Sequence, residues 1–500
     1  MKNLRSSIVL LCSLIFLSNQ LFGQEPTEQW RPKFHFSPKK NWTNDPNGLI
    51  YFNGYYHLFF QYNPLGNQWG NMSWGHAKSK DLQHWEELPV AIPKDSAYIF
   101  SGCVVLDKYH VSGLGDPKKT LFVAIYTADF PNKGEEQHLA YSNDEGLTWI
   151  KFEKNPILNI HLKDFRDPNV FWHAESRQFI MAVSKPKEFT IQFYGSKNLV
   201  QWDLLSEFGQ QGDVGKIWEC PSLIQVPVDG KKGVKKWVLF VSSRGPYQDY
   251  VGMQYFVGDF NGKSFINENT SPTKLYVDYG KDFYAAIPFS NVNSIKPMWL
   301  GWALNWAYAK DQPTFPWRGQ MSSVRELSLG VTEKGLRLRQ SFKPKMDQLK
   351  PEFKRIDLKI SGTSKLRNFK FSNTKSYLIE LEVYSTKAKN WGISIQGDGV
   401  HSKEKIVIGF DEANQQWFVD RKLSGKIIHK AFMVDDRADF FSSKSKKFQL
   451  FLDHSVLEVL AQDGLVAISS LRFPNAKNEV FQLFSDSQET IIKQISIWGL

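Results

Sequence analysis

Along most of this 500-residue chain the apolar positions come in short runs that alternate with polar ones, cut by turn pairs such as Asn53-Gly54, Asp229-Gly230, Asn261-Gly262 and Asp463-Gly464. Period-two alternation bounded by such pairs predicts β-strands joined by hairpins, and no long stretch keeps a helical period. An all-β protein is expected. The first 23 residues break the pattern: Lys2 and Arg5 precede an apolar run from Ile8 to Leu17, then small and polar residues lead to Gly23-Gln24. That is the layout of a secretory signal, and the run is too short to span a membrane. Periplasmic or extracellular export is therefore expected, with no membrane span in the mature chain.

Within the alternating region a degenerate repeat recurs. Ser79-Lys80-Asp81-Leu82 leads to Trp85, Ser142-Asn143-Asp144-Glu145-Gly146 leads to Trp149, and Ser196-Lys197-Asn198-Leu199 leads to Trp202. A fourth copy runs from Gly258-Asp259-Phe260-Asn261-Gly262 to Phe265. The copies lie roughly 60 residues apart, the length of one four-stranded propeller blade with a long loop. A polar turn residue closes a hairpin, and the aromatic after it packs between neighbouring sheets, so each blade is incomplete without the next. Residues 31–340 have room for five blades.

Past residue 341 the texture changes. Ser341-Phe342-Lys343-Pro344-Lys345 and Leu349-Lys350-Pro351 read as a linker, and alternating strands such as Ser376 to Val383 and Phe448 to Leu460 follow. Residues 351–500 are the size of one domain and are expected to form a C-terminal β-sandwich. The formal charge is +11, but the lysines are dispersed, with short clusters at Lys231-Lys232, Lys235-Lys236 and Lys444 to Lys447. A dispersed basic surface lacks the stripe that nucleic acid requires. Once the signal is removed only Cys103 and Cys220 remain, so there is no disulfide framework despite export, and stability must come from the core.

Three segments carry candidate chemistry. Trp42-Thr43-Asn44-Asp45-Pro46-Asn47-Gly48 sets a carboxylate in what reads as a Pro/Asn/Gly turn before an aromatic strand, Leu49 to Tyr62. Phe165-Arg166-Asp167-Pro168-Asn169 and Ile217-Trp218-Glu219-Cys220-Pro221 supply two more carboxylates, each followed within two residues by proline. Together they resemble glycoside hydrolase family 32, the β-fructosidases that include invertases, inulinases and levanases. The resemblance implies a five-bladed β-propeller with a central funnel-shaped site, followed by a β-sandwich. It makes Asp45 the nucleophile, Glu219 the general acid and then base, and Asp167 a holder of fructosyl hydroxyls. Retaining hydrolysis needs such a carboxylate pair across the scissile bond. Arg166 is expected to keep the neighbouring Asp167 ionised and fixed in direction.

The same resemblance gives a substrate-binding set of Trp42, Asn44, Gln61, Trp69, Phe100, Ser101, Arg166 and Trp302. Trp42, Phe100 and Trp302 are expected to close the base of the funnel. The segments Asp282-Phe283-Tyr284-Ala285 and Gly301-Trp302-Ala303-Leu304-Asn305-Trp306 also match the family pattern, whereas Cys103 stands where serine is commoner. His35, His57 and His76 lack the short paired spacing of a zinc site, and the resembled mechanism needs no metal or other cofactor. A fructan or sucrose is the implied partner. Exo release of terminal fructose from levan or inulin, and from sucrose as well, is expected; the alternatives are an endo-acting levanase or inulinase, a sucrose-specific invertase and a non-catalytic fructan-binding protein, with the intact acids favouring the enzyme. The oligomeric state is not legible.

Overall fold

A computed structural model describes residues 28–269, 272–343, 350–366, 376–398, 402–441, 445–476 and 478–500. The expected signal and most of the expected linker lie outside the described residues. Five antiparallel sheets follow one another along the chain and form the blades of a propeller. Their innermost strands are Asn41–Phe52, Tyr98–Leu106, Arg166–His173, Glu219–Pro227 and Tyr284–Pro288, for blades I to V. A two-residue strand, Trp317–Arg318, leaves blade V to pair in parallel with Asn41 and Trp42, which ties the last blade to the first.

The repeat found in the sequence marks one structural place, the turn between the third and fourth strands of a blade. Ser79 Oγ accepts the N–H groups of Asp81 and Leu82 at 3.2 and 2.8 Å, and Ser196 Oγ accepts those of Asn198 and Leu199 at 3.2 and 2.8 Å. In blade IV Asn261 takes over, its Oδ1 accepting from Lys263 and Ser264. Blade V closes on Thr332 and Gly335. A side-chain oxygen that mimics the backbone turn partner is why Ser, Asn and Thr recur there. The aromatic that follows packs across the blade boundary: Trp149 of blade II meets Phe59 of blade I edge to face at 5.6 Å, and Trp202 joins the apolar layer between blades II and III.

Every innermost strand carries a bulge at the same level. Two residues oppose one on the second strand at Asn44-Asp45, Phe100-Ser101, Asp167-Pro168, Cys220-Pro221 and Ala285-Ala286. Asp167, Cys220 and Ala285 accordingly adopt positive φ, at 67°, 47° and 54°. A bulge re-aims side chains and leaves an N–H out of the ladder, which is where proline is tolerated in a sheet. The expected turn at Asp45-Pro46-Asn47-Gly48 is thus corrected. The motif lies inside the strand Asn41–Phe52, and the hairpin closes instead at Asn53-Gly54.

The last propeller strand extends to Lys343, so Ser341 and Phe342 belong to blade V rather than to a linker. The C-terminal strands form two layers over a core that includes Trp391, Trp417, Phe448 and Phe481. The layers share the long strand Glu479–Gly499, whose first part pairs with Asn390–Gly397 and whose second part pairs with Ser376–Thr386. Buried ion pairs join the domains. His35 lies between Asp453 and Glu458, Arg325 bonds Glu458 and Asp278, and Arg421 bonds Asp282 at 2.7 Å. Among the described residues no helix is long and apolar enough to cross a membrane.

Candidate active site

The five bulges surround the propeller axis, and a cavity of about 340 Å³ opens above them. Asn44, Asp45, Gln61, Trp69, Phe100, Ser101, Arg166, Asp167 and Glu219 line it. Eleven residues were singled out by sequence, and the fold thus brings nine of them together from four blades. Trp42 and Trp302 are not among them. Both are almost fully buried one layer behind, against Trp306 at 5.9 and 4.8 Å between ring centroids. Trp306, 37 % exposed, lines the cavity in their place. Trp302 ends a strand in register with Tyr284, whereas the chain beyond it leaves the sheet and turns Trp306 toward the axis. Trp42 acts through Asn44: its indole N–H donates to Asn44 Oδ1 at 2.8 Å, and the Asn44 amide donates to Asp45 Oδ1 at 3.1 Å.

Both oxygens of Asp45 are held. Besides Asn44, the Ser101 hydroxyl donates to Oδ2 at 2.7 Å, an approach made by two bulges on adjacent blades. Asp167 is held by the Cys220 backbone N–H, which donates to Oδ2 at 2.9 Å. The Cys220 thiol sits 3.5 Å from both Asp45 Oδ2 and Asp167 Oδ2. Burial, with the charges of Asp167 and Asp45, pushes that thiol well above its ordinary range, so it is inert packing rather than a nucleophile. Glu219 accepts from Arg166 Nε at 2.9 Å on Oε1 and from the Tyr284 hydroxyl at 2.6 Å on Oε2.

Arg166 corrects a second expectation. It bonds Glu219, Glu135 and Asp164, and its bonds leave Asp167 aside. Burial, then the charge of Glu219, push the Asp167 carboxyl up to about 8, against the opposing pull of Arg166. Asp45 is likewise raised, by burial first and then by Glu219, against hydrogen bonds from Ser101 and Asn44. Glu135, a fourth carboxylate on the cavity wall, is pushed up to about 7 by burial. Burial disfavours the charged form at Asp45, Asp167 and Glu135 alike, so these neighbouring carboxyls shift upward together as a coupled set.

Tyr284, Trp306 and Glu135 were missed as site residues. Tyr284 and Trp306 fall inside segments already noted, and Tyr284 precedes a bulge that no proline marks in the sequence. Glu135 lies on a third strand, where no local pattern marks it. His57 and His76 form a buried stacked pair within blade I, Nδ1 to Nε2 at 3.0 Å, apart from the cavity.

Comparisons with known proteins cover nearly the whole of the described chain. The model of the glycosyl hydrolases family 32 N-terminal domain matches residues 35–341, and that of the family 32 C terminal matches residues 345–499. The levanase of Bacillus subtilis (strain 168) is 40 % identical over 504 residues, spanning 98 % of this chain and 73 % of its own. The extracellular exo-inulinase of Aspergillus niger is 34 % identical over 510 residues, 93 % of each chain. The crystal structure of exo-inulinase from Aspergillus awamori superposes with a TM-score of 0.89 at 33 % identity, covering 95 % of this chain and 99 % of its own. The β-fructofuranosidase of Schwanniomyces occidentalis complexed with fructosyl-erythritol gives 0.86 at 34 % identity, covering 95 % and 98 %.

Proposed function

Because the chain belongs to glycoside hydrolase family 32, whose members hydrolyse fructans and sucrose, we propose that it is an exported exo-acting β-fructosidase, releasing terminal fructose from levan or inulin with net retention. The observation that carries this reading is the convergence of Asp45, Asp167 and Glu219 at the floor of one axial cavity.

In this reading Asp45, aligned by Asn44 and Ser101, attacks C2 of the terminal fructosyl unit while Glu219 gives its proton to the departing glycosidic oxygen. The C2–O bond to the leaving sugar breaks as the C2–Oδ bond to Asp45 forms. Glu219, now a carboxylate, takes a proton from water, and the resulting hydroxide attacks C2 and returns Asp45 to its starting state. Among the described residues no hydrogen bond reaches Asp167 Oδ1, which suits it to receive a fructosyl hydroxyl. Tyr284 can donate to Glu219 as a base and accept from it as an acid, so one contact serves both halves of the cycle.

Exo action is supported by the shape of the site. Trp69, 47 % exposed, and Trp306 stand at the cavity wall. Below the bulges the axial space shrinks to a void of about 10 Å³ between Ser101, Asp167 and Cys220, room for about one water. A polymer cannot thread such a floor, so a chain end enters and is cut. The exo-inulinase relatives support the same mode, and the N-terminal signal pattern with extracellular relatives supports export. A time course of products from levan, inulin and sucrose tests it. Free fructose should dominate from the first time point, and an early ladder of oligosaccharides with little fructose would overturn exo action.

A further inference from the structure

Glu135 is the one cavity-lining carboxylate, among the described residues, for which the three-acid reaction has no use. It lies on the strand Gly134–Ser142 of blade II, in register with Asp129, and its side chain is only 6 % exposed. Its Oε2 accepts the Phe165 N–H at 2.6 Å, and its two oxygens accept from one terminal nitrogen of Arg166 at 2.9 and 3.1 Å. Phe165 and Arg166 immediately precede Asp167. A single carboxylate therefore grips both the backbone that enters the blade III bulge and the guanidinium that reaches Glu219.

A guanidinium is planar, so fixing one terminal nitrogen fixes the direction of Nε. Here Nε addresses Glu219 Oε1 at 2.9 Å. The charge matters as much as the direction. An unopposed guanidinium beside a general acid draws the proton off it, because an adjacent positive charge favours the carboxylate form. The groups facing Glu135 are Arg166, Asp129 and Asp164, with Asp167 and Glu219 across the guanidinium. Asp164 is itself paired with Lys187. Glu135 is thus the carboxylate placed to offset Arg166 from inside the cavity.

We infer that Glu135 is a positioning residue for proton transfer: it orients Arg166 toward Glu219 and offsets its charge, so that Glu219 can hold a proton and release it to the leaving sugar. This rests on the reading of Glu219 as the acid. The competing role is a purely structural clamp on the Phe165 amide.

The test compares the kcat/KM pH profiles of wild type, Glu135→Gln and Glu135→Asp on sucrose and inulin, with folding checked by thermal unfolding. Glu135→Gln keeps an oxygen for the Phe165 amide and for Arg166 but loses the charge. Its basic limb should move toward acid by about half a unit or more, with kcat falling more than KM changes. Glu135→Asp keeps the charge and should hold the limb at the wild-type position while lowering kcat. A uniform loss in Glu135→Gln with an unmoved limb, wild-type kinetics in both variants, or the same limb shift in both would each overturn the inference. Should Glu135→Gln not fold, the limb position in Glu135→Asp decides alone. Glu219→Gln in the same assay separates the two readings. Near-wild-type turnover there would remove Glu219 as the acid, whereas a strongly impaired Glu219→Gln beside an unmoved Glu135→Gln limb would remove only the role of Glu135.

Discussion

In the proposed reaction Asp45 and Glu219 do different halves, and their surroundings differ to match: two aligning donors on Asp45, a guanidinium and a phenol on Glu219. Replacing Glu219 by Gln should cost about 10²–10⁴-fold in kcat, the range of a general acid, and Asp45→Asn should abolish turnover, with thermal unfolding close to wild type in both. Steady-state kinetics on sucrose checks this, and near-wild-type rates in either folded variant would remove its role. The pH profile follows from the raised carboxyls. With Asp167 held up to about 8 by burial and the charge of Glu219, the buried cluster loses a proton as pH rises toward that value. The basic limb of kcat/KM is therefore expected between pH 7 and 8 rather than near the ordinary carboxylate range. The three acids were legible because each has a proline one or two residues after it in a short, distinctive stretch that resembles the family's motifs. Trp306 was not separable from Trp302 by sequence, since both lie in one aromatic segment and only the end of the strand decides which faces the axis. The partner of Arg166 was misread for a similar reason. Adjacency in sequence suggested Asp167, but a bulge turns neighbours apart, and Glu219 arrives from the next blade.

At the scale of elements, the recurring bulge on each innermost strand is what converts a ring of ordinary sheets into a site. Its trace in the sequence is partial: prolines mark it at Pro46, Pro168 and Pro221, while Phe100-Ser101 and Ala285-Ala286 bulge without one. Four of the blades were readable because the turn between their third and fourth strands repeats a Ser or Asn cap followed by an aromatic, whereas the Thr332 turn of blade V lacks that pattern. The closing strand Trp317–Arg318 was not readable, being only two residues long. Gly319 follows it, with φ +90°, and an added Cβ there would lie 2.1 Å from the Thr43 carbonyl oxygen. Gly319→Ala should therefore press on the strand just before Asn44 and Asp45. The expected loss is about 1–3 kcal/mol in stability, with a fall in kcat larger than the change in KM. Denaturant unfolding and kinetics on one preparation would show both, and unaltered behaviour in each would mean that the closing strand does not set the position of Asp45.

At the scale of the molecule, the sandwich is fastened to the propeller by buried charges, and its motif Leu452 to Val459 supplies Asp453 and Glu458 to His35. Burial alone would lower the His35 imidazole, but the hydrogen bonds its ring donates to Asp453 and Glu458, with the charges of both carboxylates, raise it to about 9. A raised histidine contributes its stability in full below its unfolded value near 6.5 and loses it as pH rises through 9. Thermal midpoints should therefore fall between those pH values. His35→Gln should be less stable at pH 6 by about 3 kcal/mol and show a flatter dependence, and an equally steep dependence in the variant would assign it to other groups. Sequence showed a second β domain and its size, whereas its docking depends on pairs hundreds of residues apart. The central claim, a fructosyl intermediate on Asp45 released by water activated at Glu219, is tested most directly by the anomeric configuration of the product trapped from the reaction. With inulin or levan as donor and dilute methanol as acceptor, proton NMR should find methyl β-D-fructofuranoside, because two displacements at C2 restore the starting configuration. Methyl α-D-fructofuranoside as the first transfer product would show a single displacement and contradict the account.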